Sequence, residues 1–282
     1  EFVKLKKLDM SENKRSFCGN KIIYEFFLQE MLKTRYKGGK TLQEKWNASD
    51  DAPLNMWKQV CKMDRRKAYP PTATDVFELN RAITFFKPSI AKHIYQRFGA
   101  TSVLDPCSGW GGRMLGAMAC SPAGSVRYQG FDTNTDLKPV YDRMSVLLKS
   151  WGHTSDQSSV DFRSCLDADF SKLDYDCVLT SPPYYDLEIY PNQSDLPSET
   201  TWYRRFLMPM IARSYKYMKV GGHCCINISP EMYEKMLSFG FPPCQETVDF
   251  LQQKNTAQWG EGQGKQDFIY IWFKSPPLGG AC

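Results

Sequence analysis

Three histidines in 282 residues, at positions 93, 153 and 223, and no Cys-x-x-Cys pair leave this chain without the clustered ligands of a structural zinc site. No bound metal is therefore expected. No apolar run approaches the roughly 18 residues that a membrane helix needs, so no membrane partner is expected either. The opening stretch EFVKLKKLDM has no apolar core, which argues against a secretory signal. Its first residue is not methionine, as in a piece of a longer chain. The ten cysteines show no disulfide spacing: Cys224 and Cys225 are adjacent, and Cys107, Cys165 and Cys177 lie in apolar runs, as buried free thiols do. A reducing, intracellular setting follows as the expectation.

Hydrophobic content of 42% and charged content of 24% suit a globular chain with one large core, or a core and a smaller module. Charge is unevenly spread. Residues 1–100 carry 20 Lys and Arg against 11 Asp and Glu, whereas the remainder carries 16 against 20. A basic N-terminal part suits a polyanionic partner, though a solvated basic helix surface would look the same. Within it, Arg65 and Arg66 sit in a basic cluster with Lys62 and Lys67, and Lys37 and Lys40 flank a glycine turn.

Hydrophobic periodicity divides the chain near the PPTATD stretch at 70–75. Residues 1–70 read as a basic, helical and irregular region. In residues 71–282 strands and helices alternate. Strands are expected at 102–105, 126–132, 160–163, 176–180, 223–228, 246–251 and 267–273, with helices over 112–119, 137–150, 201–219 and 230–239 between them. That series predicts an α/β fold: a seven-stranded, mostly parallel sheet with helices on both faces.

The stretch SVLDPCSGWGGRMLGA places three glycines, Gly109, Gly111 and Gly112, where the first strand meets its crossover helix. Glycines there permit a tight turn and close approach to a ligand. No Gly-Lys-Ser/Thr follows this loop, which excludes a phosphate-binding P-loop. The second strand ends in Asp132, 27 residues after Asp105. An acid at that place can accept both hydroxyls of a ribose, and Asp105 could hold a ligand ammonium. Both could instead be helix caps.

The loop DPCSGWGG resembles the first motif of S-adenosylmethionine-dependent amino-methyltransferases, D-P-x-x-G-x-G. It departs from the bacterial pattern at Trp110-Gly111-Gly112-Arg113, where a Gly-Ser-Gly-Thr-Thr type run is usual. Upstream, FFKPSIAKHI (85–94) is similar to the family's Lys-Pro helix. The stretch VLTSPPYYDLEIY is similar to the S-P-P-Y version of its second motif, which ends the fourth strand. Order of motifs, rather than continuous identity, carries the likeness, over about residues 80–274. The resemblance implies a Rossmann-like methyltransferase fold and S-adenosyl-L-methionine as cofactor. Its contacts would come from Lys87, Pro88, Asp105, Pro106, Gly109, Gly111, Asp132 and Asp167.

The amine motif has a chemical logic. An exocyclic amine conjugated to a ring is a poor nucleophile because its lone pair is delocalised. Acceptors on its hydrogens free that pair. Ser181 offers a hydroxyl and Pro182 a carbonyl, with Pro183 stiffening the turn. Tyr184 offers a face on which an extruded base can stack. Tyr185, Glu188, Tyr190 and Trp202 are candidates for the wall of the base pocket, with Arg65 and Arg66 on the nucleic acid backbone. Serine before Pro-Pro goes in this family mainly with N4-cytosine and aspartate mainly with N6-adenine. The reading is therefore a DNA cytosine-N4 methyltransferase. An N6-adenine enzyme, an RNA base methyltransferase and an inert partner subunit stay open as alternatives. Association with DNA, in the nucleus or cytoplasm, is the corresponding expectation for location.

Overall fold

A computed structural model describes residues 1–8, 16–63, 83–120, 125–150, 158–185, 188–189, 197–249 and 268–276. The sequence-predicted break at 70–75 lies outside the described residues, as do Arg65, Arg66 and Tyr190.

The first strands form where short apolar runs meet turn residues. They are β1 (Arg35–Tyr36), β2 (Ser102–Asp105), β3 (Arg127–Phe131), β4 (Ser158–Asp161), β5 (Cys177–Thr180) and β6 (Glu188–Ile189). Then come β7 (His223–Ile228), β8 (Glu246–Val248) and β9 (Phe268–Phe273). Seven of them make one sheet in the order β4-β3-β2-β5-β7-β9-β8, in which β9 alone runs against the others. This is the α/β architecture expected from the alternation of elements. β4 starts two residues earlier than expected, because Ser158–Asp161 pairs with Tyr128–Phe131 and Phe162 and Arg163 leave the ladder.

Side chains alternate across the sheet, and each set finds its own core. Val103, Cys177, Leu179 and Cys225 face helices α1 (Phe2–Lys7), α2 (Asn20–Lys33), α5 (Pro88–Arg97), α6 (Gly112–Met118) and α7 (Lys138–Ser150). Leu104, Val178, Cys224 and Ile226 face α8 (Glu199–Trp202), α9 (Met208–Tyr217) and α10 (Pro230–Ser238). Two further helices, α3 (Leu42–Trp46) and α4 (Ala52–Met63), follow α2. Cys18, Cys107, Cys120, Cys165, Cys177, Cys224, Cys225 and Cys244 are free thiols, and five of these are buried.

The N-terminal helices share the core of the sheet. Phe2, Leu5, Ile23, Phe27 and Met31 pack in the same cluster as Leu115 and Val103. Lys92, only 1% exposed, donates to the carbonyls of Leu5, Lys6 and Leu8 at 3.0, 2.8 and 2.7 Å. A buried ammonium thus satisfies the open end of α1. Further on, β1 pairs with β6, just after the Pro-Pro turn.

A single helix was expected over 201–219; the chain instead runs α8, one π-helical turn (Tyr203–Leu207) and α9. Pro209 explains the widening. It has no N–H for the carbonyl four residues back, so the ladder shifts register there.

Helix α6 approaches α5 and the segment just before it closely through two glycines. A Cβ on Gly112 would lie 1.9 Å from the Phe86 carbonyl oxygen. One on Gly116 would lie 2.6 Å from Ala91 Cβ and 2.8 Å from the Pro88 carbonyl oxygen. Gly116→Ala is expected to push the helices apart and destabilise the fold by about 1–3 kcal/mol. Chemical denaturation measures it, and an unchanged midpoint would refute this packing.

Candidate active site

The carboxyl ends of the central parallel strands, where ligands sit in open α/β sheets, open into a cavity of about 170 Å³. Its walls come from separate parts of the chain. They are the segment before α5 (Thr84–Phe86), the loop after β2 (Pro106–Trp110, with Gly112 and Arg113), Asp132 after β3 and Arg163–Cys165 after β4. Thr133 and Leu137, Ser181–Tyr184 after β5, Phe206 of the π turn and Asn227 near the end of β7 complete them.

The loop after β2 is held from every side. Asp105, fully buried, accepts from Arg113 Nε at 2.7 Å and from the Tyr128 hydroxyl at 2.5 Å. Arg113 also donates to the Cys107 carbonyl, and its guanidinium lies over the Phe86 ring, 5.4 Å from the centroid. The neighbouring carboxylate holds Arg113 protonated, its pKa moved upward despite burial. Cys107 N–H donates to Thr180 Oγ1 at 3.2 Å, which ties this loop to the end of β5. Ser108 N–H donates to the Phe131 carbonyl, and Gly130 leaves room for it: a Cβ there would sit 2.1 Å from Ser108 Oγ.

Asp132 is the loop's other anchor. Its two oxygens accept the N–H groups of Gly109 at 2.7 Å and Asn134 at 2.8 Å. Burial nevertheless pushes the carboxyl up to about 6, against the lowering by those two N–H groups. Each oxygen retains a lone pair, and the residue lines the cavity. A carboxylate short of donors at the cavity wall suits a ligand that brings hydroxyls.

Ser181 is half-buried, and its Oγ accepts from Asn227 Nδ2 at 3.2 Å. Tyr184 lies beside it in the wall. Tyr185 turns away with φ +32°, a left-handed conformation rare outside glycine. Its hydroxyl donates to the Pro197 carbonyl at 2.7 Å.

The structure thus brings Pro106, Gly109, Asp132 and Ser181–Tyr184 to one cavity. Several expected contributors stand elsewhere. Asp105, which the sequence suggested for a ligand ammonium, is engaged by Arg113 and Tyr128 and is not among the residues lining the cavity. Gly111 turns toward α2, where a Cβ would meet the Phe27 ring at 2.9 Å. Lys87 caps α5 with its ammonium 4.6 Å from the Phe17 ring centroid, and Pro88 packs on Gly19. Asp167 is exposed at the end of a 3₁₀ turn, outside the wall. Trp202 is a core residue packed on Tyr203 and Phe206, and neither it nor Tyr185 lines the cavity, because the wider π turn brings Phe206 there instead. Glu188 lies in β6, paired with Tyr36.

Asn227, Phe206, Arg163 and Cys165 were not singled out by sequence. The readable signals were a polar residue inside the apolar run HCCINI and a proline inside a helical pattern.

No family model matches the chain, and no curated protein matches it. Solved structures do. TrmN from Thermus thermophilus is 14% identical with a TM-score of 0.45, and the match covers 70% of this chain and 50% of that one. This chain therefore spans about half the length of TrmN. A tRNA (m1A58) methyltransferase, TrmI, from Aquifex aeolicus is 11% identical with a TM-score of 0.45, over 74% and 78%. A SAM-dependent O-methyltransferase from Thermotoga maritima is 13% identical with a TM-score of 0.43, over 74% and 73%. Such likenesses assign neither substrate nor reaction.

Because burial raises the Asp132 pKa, its charge costs stability in the ligand-free chain. The benefit of the protonated form is complete below the ordinary carboxyl range and is lost as pH rises through about 6. Carbon-detected NMR titration of Asp132 is expected to give a midpoint near 6, with the Gly109 amide following it. A midpoint in the ordinary range near 4 would contradict this environment.

Proposed function

We propose that this chain transfers a methyl group from S-adenosyl-L-methionine to the exocyclic amine of a nucleobase, N4 of cytosine in DNA. One observation supports this above others: the glycine loop with Asp132 and the Ser181–Tyr184 turn form walls of the same cavity. A cofactor carrying a ribose diol fits the first part, since Asp132 has acceptor capacity there. Gly109, with φ +55°, turns in the left-handed region, and a Cβ there would meet Arg113 Nη2 and the Cys107 carbonyl oxygen at 4.0 Å. An aromatic amine fits the second.

When bound, the cofactor would supply a methyl on a sulfonium, for transfer to the amine lone pair with the bonding pair left on sulfur as a neutral thioether and one amine proton passing to water. The chain's own residues do the positioning. Asp132 accepts the diol hydroxyls. The Pro182 carbonyl, with no competing N–H at either proline, accepts one amine hydrogen. Ser181 makes the second hydrogen bond to the base edge, and Tyr184 and Phe206 flank the ring. Holding the amine in line with the methyl is worth several kcal/mol of barrier. Serine before Pro-Pro favours cytosine through the family resemblance, since an amine beside an acceptor ring nitrogen is an edge that adenine N6 and N1 share with cytosine N4 and N3; the basic balance of residues 1–100 favours a polyanion.

The test is direct. The chain is incubated with labelled cofactor and separate DNA and RNA, each is digested, and the methylated nucleoside is identified by mass spectrometry. N4-methylcytosine from DNA is expected. Ser181→Ala is expected to lower turnover by roughly 10²-fold with cofactor affinity kept. Dominant N6-methyladenine, label in RNA alone, or full activity in Ser181→Ala would overturn the assignment.

A further inference from the structure

Asn227 is 5% exposed on a strand whose neighbours Cys224, Cys225, Ile226 and Ile228 are buried and apolar. A primary amide in such a place is costly unless it is hydrogen-bonded. Parallel pairing of β5 with β7 sets Thr180 against Ile226. Asn227 therefore stands one step on, beside Ser181, and both side chains reach the same cavity. Asn227 Nδ2 donates to Ser181 Oγ at 3.2 Å.

We infer that Asn227 is the positioning residue of the amine site, fixing which hydrogen-bonding faces Ser181 shows to the base. The inference rests on the function proposed above. A serine hydroxyl has two lone pairs and one hydrogen, and it rotates among three wells. Donation from Asn227 fills one lone pair and selects a rotamer. It leaves Ser181 one lone pair and one O–H toward the cavity. Accepting a hydrogen bond also polarises the hydroxyl, so that its O–H becomes the better donor. Ser181 then presents an acceptor beside a donor. That is the complement of an amine N–H beside an unprotonated ring nitrogen, the edge of cytosine N4 and N3. Without Asn227, the hydroxyl is free to turn its hydrogen toward the amine and block it.

Asn227→Asp separates this role from packing. The two side chains are nearly isosteric, but a carboxylate only accepts. The hydrogen bond then reverses, and Ser181 spends its O–H on the introduced carboxylate. Expected is a roughly tenfold or larger fall in kcat at pH 8, with cofactor affinity and the KM for DNA little changed. Lowering the pH protonates the introduced carboxyl and restores a donor, so the variant's kcat relative to wild type is expected to rise as pH falls toward 6. Taking that ratio cancels the titration of Asp132 and the charges of Arg113 and Arg163, the other ionised groups in the wall. Asn227→Ala is expected to lose activity without the pH-dependent recovery. A readout independent of turnover is the Asn227 side-chain amide in NMR spectra. It is expected to be slow in exchange and to move in Ser181→Ala.

Wild-type kcat in Asn227→Asp with a flat ratio, or an amide indifferent to Ser181→Ala, overturns the inference alone. A wild-type chain inactive on every nucleobase amine overturns the function above, and with it this inference.

Discussion

The ion pair between Arg113 and Asp105 sits at the junction of everything that shapes the cavity. Both partners are buried, at 4% and 0% exposed. Two charges in that setting are tolerated only with good geometry and further hydrogen bonds. Tyr128 and the Cys107 N–H supply donors to the carboxylate; the Cys107 carbonyl and the Phe86 ring receive the guanidinium. Removing one partner of such a pair typically costs about 3–5 kcal/mol, because the other is left charged and dry. Here the cost would fall on the loop itself, since the same residues join β2, β3 and the first turn of α6.

From that junction the constraint spreads outward. Close helix packing at Gly112 and Gly116 holds α6 against α5, whose preceding residues Thr84–Phe86 form one wall. On the other side, α2 lays Phe27 under Gly111, with Trp110 and Tyr141 in edge contact at 6.5 and 5.1 Å. The N-terminal helices therefore buttress the glycine loop as well as carrying basic charge. The β1–β6 pairing then ties the same segment to the chain beyond Tyr185. A polyanion engaging the N-terminal helices would act on elements that touch both halves of the cavity.

Much of the fold was legible because local pattern and tertiary environment agree. HCCINI reads as a buried strand and forms one over the same six residues. The glycine loop, Asp132 and the Ser-Pro-Pro-Tyr turn were legible because each needs unusual residue types at a strand end. The partner of Asp105 was not legible, because Arg113 lies eight residues on, where sequence shows an ordinary helix start. Trp202 looked like a pocket wall from its nearness to the motif, whereas the π turn at Tyr203–Leu207 presents Phe206 instead. Asn227 was missed because its partner is 46 residues away in sequence and becomes a neighbour only through strand register.

The glycine loop and Asp132 are the proposed site for S-adenosyl-L-methionine. Calorimetric titration of that compound into the chain at pH 8, repeated at pH 5, tests it most directly. Binding at one site per chain is expected, weakening at pH 5 as Asp132 gains its proton. Loss of that pH dependence is expected in Asp132→Asn. No heat and no spectral change at millimolar ligand, or wild-type affinity in Asp132→Asn at pH 8, would contradict it.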